Sequence, residues 1–458
     1  MTASAPLDVV VLAAGKGTRM RSALPKVLHQ IAGRSMLAHV LDTATKLQPQ
    51  GLHVVIGHGA ETIQAAFQHT PIDWVQQRQQ LGTGHAVREA LPGIADDSIV
   101  LVLYGDVPLI TTTTLQACVA AADQGLALIT AHMDDPAQLG RIVRNGQGAV
   151  ERIVEFKDAD ATQRAICEIN SGILAAPARL LREHLGRLTT DNAQGEYYLT
   201  DVISSCVGDG VPVIGLAVDS PLEVAGVNDR VQLAELEREY QRQQSLRLMR
   251  DGATLMDPSR VDVRGEVEVG EDCVIDVNVV FEGQVTLGAN VVVGPGCVIK
   301  DATIGANTQV HAHTLIDTAL VGEHCSLGPF ARIRPGSNFA DQVKIGNFVE
   351  TKKAHMGRGS KASHLTYLGD AEIGAEVNIG AGTVTCNYDG VNKHRTTIGD
   401  DVFVGTNSTL VAPIELADHT FVAAGSTLTT KVEPGDLAVG RARQRNIPGW
   451  KRPTKRDS

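Results

Sequence analysis

The sequence predicts two halves of different class: an α/β domain with a mostly parallel sheet over residues 1–228, then a parallel β-helix over 252–458, joined by a helix at 229–251. Three observations carry this. Short apolar runs alternate with helix-spaced apolar stripes up to about residue 227. A stretch without Gly or Pro follows. From about residue 261 an aliphatic residue recurs every six positions, which is the mark of a parallel β-helix.

In the first half, "DVVVLAAG", "LHVVIGHG", "SIVLVLYGD", "LALITAH" and "VPVIGLAV" read as buried strands. Between them, "SMLAHVLDTATKL" sets Met36, Leu37, Val40, Leu41, Ala44 and Leu47 at helical spacing. "TTTTLQACVAAAD" behaves alike. Strand–helix alternation calls for a sheet covered on both faces. "RIVRNGQGAVERIVE" reads as a hairpin turning at Asn145–Gly146. The run "DRVQLAELEREYQRQQSLRLMRD" is rich in Glu, Gln, Arg and Leu and is ended by Gly252 and Pro258, so it reads as one helix, long enough to act as a rigid connector.

In the second half the aliphatic positions 269, 275, 281, 287, 293 and 299 are in step, and so are 398, 404, 410, 416, 422 and 428. Glycine often follows at once, as at Gly270, Gly288, Gly305, Gly346 and Gly405. Three hexads make one triangular coil with the aliphatic residue pointing inward, and glycine is expected at the corners because it tolerates unusual φ. The stretch "TCNYDGVNKHRTTIG" breaks step: Ile379 to Ile398 is 19 residues. A coil must therefore bulge, and its polar residues lie outside the core, where binding residues concentrate.

Composition narrows the function classes. The chain of 458 residues is 43% hydrophobic and 20% charged, with no apolar run long enough to span a bilayer. The start, "MTASAPLDVVVLAAG", lacks a signal-peptide pattern, so no membrane insertion is expected. Seven scattered cysteines without a CxxC pair argue against a disulfide framework or a zinc site and suit a reducing cytoplasm. A net charge of −11 argues against nucleic-acid binding. The tail beyond Arg441 is basic, and its last eight residues read as a solvated terminus.

Two motifs bear chemistry. In "LAAGKGTRM", Ala13, Ala14, Gly15 and Gly17 let backbone N–H groups approach an anion, while Lys16 and Arg19 add positive charge. The pattern is neither GxxxxGK[ST] nor GxGxxG, since Met20 holds the last position. Lys26 follows in "LPKVL". In "VLVLYGDVP" a buried strand ends in Gly105–Asp106, at the edge where open α/β sheets bind ligands, and a carboxylate there suits a hard divalent cation.

With "QLGTGHA", "GRIV", "IVEFKD", "EINSGI", "NAQGEYYLTD" and "GVNDR", these motifs and the hexapeptide half resemble the bacterial bifunctional enzymes that combine N-acetylglucosamine-1-phosphate uridylyltransferase with glucosamine-1-phosphate N-acetyltransferase. The resemblance runs from about residue 7 to 450. It implies a Rossmann-like nucleotidyltransferase domain, a left-handed β-helix, and a cytoplasmic homotrimer supplying peptidoglycan and lipopolysaccharide precursors. In the uridylyltransferase site it implies that Leu12, Ala13, Ala14 and Gly15 line UTP, that Lys26 binds its phosphates, and that Arg19 offsets charge on the departing pyrophosphate. Gln77, Gly82 and Thr83 would recognise uracil. Tyr104, Gly105, Gly140, Glu155 and Asn170 would hold N-acetylglucosamine-1-phosphate, and Asp106 and Asn228 would ligate Mg2+.

In the acetyltransferase site the same resemblance makes His364 the base that takes a proton from the amino sugar, a role that suits histidine near neutral pH. Arg334, Lys352, Tyr367, Asn378 and Lys393 would bind glucosamine-1-phosphate. Ala381, Asn387, Tyr388, Thr406, Ala424 and Arg441 would bind acetyl-CoA, with Thr406 keeping a hydroxyl where a serine is common. The rival reading is a single-activity sugar nucleotidyltransferase whose β-helix only builds the oligomer; "HLTYLGD" and "CNYDGVNKHR" speak against it.

Overall fold

The computed structural model describes residues 5–453, so Lys455 and Arg456 of the basic tail lie outside the described residues. The chain forms two compact units, one up to Tyr240 and one from Gln241 onward. The division falls inside the Arg230–Arg250 helix. No described helix is long and apolar enough to cross a membrane.

The first unit is built on one sheet. Its strand order is Val213–Val218, Leu126–His132, Glu168–Pro177, Ile99–Tyr104, Leu7–Leu12, Gly51–Ile56, Asp73–Gln76. Leu7–Leu12 runs parallel to both neighbours, which aligns its carboxyl end with those of Ile99–Tyr104 and Gly51–Ile56. Alternation along Leu7–Leu12 sends Val9 and Val11 into one apolar cluster and Val10 and Leu12 into another. Both faces are therefore covered, as the near-continuous apolar runs require. The helix Met36–Thr45 starts where Ser35 Oγ accepts from Ala38 N, a normal N-cap. The expected hairpin forms, with Asn145 Oδ1 accepting from the backbone N–H of Gln147 and Ala149.

One strand departs from expectation. Glu168–Pro177 lies in mid-sheet antiparallel to both neighbours. Its register shifts between Asn170 and Leu174, around Gly172 at φ 83°. A Cβ on Gly172 would stand 2.5 Å from the Tyr104 ring, so only glycine lets that tyrosine pack there.

The second unit is a three-sided coil. One face carries Val274–Ile275 through Leu437–Ala438; the other two share a second, kinked sheet, in which strands such as Val261–Val269 bend at Gly265. Strands pair in parallel with the coil above and below. The six-residue rhythm is the inward column: Ile275, Phe281, Leu287, Val293 and Ile299 are almost fully buried in a single core, and so are Ile398, Val404, Leu410 and Leu416.

The glycines after these residues have a different cause from the one expected. Gly270, Gly288, Gly305 and Gly405 are not among the residues with positive φ. A Cβ on them would meet the backbone of the next coil, at 2.5 Å for Gly270, Gly305 and Gly405 and at 2.6 Å for Gly288. The left-handed corners are shared between other glycines, such as Gly296, Gly336 and Gly382, and residues that include Asn290, Asn307, His324, Asp370 and Asp401, whose side chains accept φ near 55° at low cost. The helix Arg230–Arg250 enters this unit with its later residues: Gln241 bonds the Val263 N–H and C=O at 2.7 and 2.9 Å, and Ser245 donates to Pro258 O at 2.8 Å.

The bulge is an ordered hairpin. It leaves the second face at Cys386 and rejoins the third at Thr396. Tyr388 and Lys393 pair as an antiparallel bridge, with Lys393 Nζ 4.0 Å above the Tyr388 ring. Asp389 accepts from the backbone N–H of Val391 and Asn392 and contacts His394 Nε2 at 2.7 Å. These bonds hold the carboxyl well below the usual range, the His394 contact contributing most. Val391 at the tip is 83% exposed.

Candidate functional site

In the first unit a crevice of about 880 Å3 opens at the carboxyl edge of the sheet. Leu12, Ala13, Ala14 and Gly15 line it together with Gln77, Gly82, Thr83, Lys26, Tyr104 and Asp106. A Cβ on Gly15 would meet nothing within 4 Å, so this backbone faces open space that a phosphate could enter. Gly17 sits at φ 56°, and a Cβ there would stand 2.7 Å from Lys26 Cβ; glycine thus allows the loop and the lysine stem to lie together.

Lys26 Nζ is paired with Asp106 Oδ2. Val227 N donates to Asp106 O at 3.0 Å, which brings the 226–228 segment against the strand end. Asn228 Oδ1 accepts from Arg19 Nη2 at 2.9 Å. The two oxygens assigned to a metal therefore each face one of the two cations assigned to phosphates. A carboxylate and an amide oxygen are hard donors, of the kind that would suit Mg2+. Among the described residues no group of three or more His, Cys, Asp or Glu could hold a metal by itself.

The sugar-side residues gather beside Tyr104. Asn170 N donates to Gly140 O at 2.9 Å, and a Cβ on Gly140 would stand 3.4 Å from both Glu155 carboxylate oxygens. Thr200 Oγ1 donates to Glu155 Oε1 at 3.2 Å. Burial raises the Glu155 carboxyl above its ordinary value, helped by Asp158 and Asp201. Burial also lifts the Tyr104 hydroxyl, with Glu155 and Asp106 adding to it, so that it stays a neutral hydrogen-bonding group.

In the second unit His364 ends a strand of the first face, at the corner turned by Leu365. Its Nδ1 lies 2.8 Å from Asn347 Oδ1, one coil earlier. With an amide oxygen as partner, Nδ1 is the donor and Nε2 keeps its lone pair. Asn378, Ala381, Thr406 and Ala424 line a groove of about 420 Å3 with His364. Arg441 attaches to a residue of its lining, Nη1 donating to Ala424 O at 2.6 Å.

The remaining acetyl-transfer candidates lie elsewhere on the coil. Arg334 directly follows a second-face strand and pairs with Glu350 at 2.7 Å; Lys352 lies within the strand Glu350–Met356, next to the corner turned by Lys353. Lys393 lines a separate pocket of about 460 Å3 with His355, Asp370 and Glu372, and Asn387 and Tyr388 belong to the same bulge. Tyr367 starts on the His364 side, but its hydroxyl reaches toward Gly369 and Asn387. Within one chain the proposed base and the proposed phosphate cations thus sit at successive corners.

The sequence model of the MobA-like NTP transferase domain matches residues 9–205, and that of the GMPPB C-terminal domain matches residues 260–357. A Marinobacter nauticus protein named "Bifunctional protein GlmU" is 57% identical over 451 residues, 98% of this chain and 99% of that protein. The chain belongs to the GlmU family. GlmU proteins of Pseudomonas putida and Alkalilimnicola ehrlichii are 58% and 56% identical, each over 98% of this chain and 99% and 97% of their own lengths.

Set in the GlmU family, this chain also shows residues that sequence reasoning missed. Gln80 Nε2 donates to Ala14 O at 2.8 Å and pins the loop that follows Leu7–Leu12. Asn347 orients His364. The glutamine-rich run "QQRQQ" hinted at the first. Nothing local marked Asn347, because it meets His364 only through the 17-residue offset between successive coils.

Proposed function

We propose that this GlmU-family chain acetylates glucosamine-1-phosphate with acetyl-CoA, then couples the N-acetylated product to UTP, releasing pyrophosphate and UDP-N-acetylglucosamine. Residues 252–458 would perform the first reaction and 1–228 the second, with the 229–251 helix joining them. The supporting observation is that relatives named bifunctional match the chain end to end, over both furnished sites.

In acetyl transfer, His364 Nε2 takes a proton from the amino group, the nitrogen bonds to the thioester carbonyl carbon, and the C–S bond breaks to release the CoA thiol. Asn347 holds the ring in the tautomer that leaves Nε2 free. Arg334 and Lys352 offset the sugar phosphate. Since they stand at the next corner of the coil, a complete site calls for a second copy to bring its second corner to the first copy's groove. That need supports a homotrimer with sites between chains.

In uridylyl transfer, a phosphate oxygen of the sugar attacks the α-phosphorus of UTP in line with the departing pyrophosphate. The protein orients the reactants more than it reacts. Lys26 lines the crevice, Arg19 bonds Asn228, and Gly15 leaves room for phosphates. Asp106 and Asn228 would hold Mg2+, which would offset the charge of the reacting phosphates. Tyr104, Gly140, Glu155 and Asn170 shape the sugar side. Free thiols throughout the chain fit a reducing cytoplasm.

The test is one reaction with glucosamine-1-phosphate, acetyl-CoA, UTP and Mg2+, its products resolved by mass. UDP-N-acetylglucosamine should form only with all components present. UDP-sugar from N-acetylglucosamine-1-phosphate, with none from the free amine, would favour a single-activity enzyme.

A further inference from the structure

Along the first face of the coil, one outward column runs Lys344, Lys361, Asn378, Phe403, Phe421, Leu437, each paired in register with the next. Its chemistry changes at Asn378 from cationic to apolar. Phe403 and Phe421 are 40% and 48% exposed, and both line the His364 groove, although neither belongs to any role assigned above. Their rings stack on one another, with centroids 4.5 Å apart and planes 14° apart. Each ring thus spends a face on its neighbour. The outer ring faces look along the column toward Asn378 and Leu437, their partners in register, so the pair turns ring edges outward, an apolar strip continued by Leu437, which is 63% exposed.

We infer that the Phe403–Phe421 strip seats the apolar, pantoyl end of the pantetheine arm of the acetyl donor. This rests on the acetyl-transfer reading above. A strip of edges suits a branched aliphatic chain; a planar base would need a free ring face. Distance agrees. Successive coils are about 4.8 Å apart, so Phe403 and Phe421 lie roughly 10 and 14 Å along the axis from the His364 coil. A pantetheine arm has the reach of about four peptide units, roughly 14 Å. With the thioester at His364, its geminal methyl groups fall on the ring pair. The guanidinium of Arg441, bonded to Ala424 O on the Phe421 coil, then stands where the anionic diphosphate begins.

The experiment compares Phe421→Ala and Phe403→Ala/Phe421→Ala with the unmodified full chain, using three donors: acetyl-CoA, S-acetylpantetheine and S-acetyl-N-acetylcysteamine. The last lacks the pantoyl group. The expected result is about a tenfold loss in kcat/KM, carried by KM, with acetyl-CoA and with S-acetylpantetheine alike, and no change with the short donor. Uridylyl transfer and oligomeric mass should be unaltered. A loss confined to acetyl-CoA would assign the rings to the nucleotide and overturn the inference. An equal loss with all three donors, or a changed oligomeric mass, would assign them to the fold or to contact with another copy, and would overturn it too. Absence of acetyl transfer from any donor in the unmodified chain would instead refute the reading on which it rests.

Discussion

Asn347 is a residue whose importance rests on one contact, the 2.8 Å approach of its Oδ1 to His364 Nδ1. If it fixes the imidazole tautomer, Asn347→Ala should lower kcat for acetyl transfer by about tenfold to a hundredfold, part of the ~10²–10⁴ that a positioned base supplies. KM for both substrates should hold, the acidic limb of the kcat–pH profile should move, and Asn347→Asp, which retains an acceptor, should recover part of the loss. An unchanged pH profile would reduce Asn347 to a structural role. Glu155 makes a different trade. Its carboxyl is raised by burial, so the folded state holds a proton that the unfolded chain gives up near the ordinary 4.5. The stability this contributes is complete below 4.5 and fades as pH rises through the folded value. Glu155→Gln should therefore raise the melting temperature of the first unit at pH 7, with a difference that shrinks toward pH 4, while KM for N-acetylglucosamine-1-phosphate rises. A gain over the unmodified chain that is no larger at pH 7 than at pH 4 would contradict the assignment.

Elements differ in how openly the sequence announces them. The hexapeptide coil was legible because each inward position is filled by the same kind of residue, and Ile275, Val293, Leu327 and Ile345 are all buried. The break after Ile379 was legible as a bulge for the same reason, since a lost rhythm shows where the core does not reach. The reason for the glycines was not legible. A residue-level argument assigns them to corners, whereas Gly346 is required by the next coil, where a Cβ would stand 1.9 Å from Ser363 O. The strand Glu168–Pro177 was hidden because its middle, Asn170 to Gly172, is partly exposed and polar, which interrupts the apolar run. Motifs on strand ends were easier: Gly15 and Asp106 follow two neighbouring strands and converge because parallel strands present their carboxyl ends together.

At the scale of the whole molecule, the corner-to-corner separation of His364 from Lys393 has a consequence for mixtures. His364→Ala and Lys393→Ala should each lose acetyl transfer alone. Co-expressed, they should regain it in mixed oligomers, at roughly a quarter of the sites if copies assort at random in a closed ring. No recovery in verified mixed oligomers would mean that each chain completes its own site.

The division of labour within one chain is tested most directly by pyrophosphate release and thiol release measured side by side on Asp106→Ala and His364→Ala. The account predicts that Asp106→Ala loses uridylyl transfer by roughly a thousandfold or more while acetyl transfer stays within about twofold of normal, and that His364→Ala does the reverse. Loss of both activities together in either soluble, correctly assembled variant would contradict it.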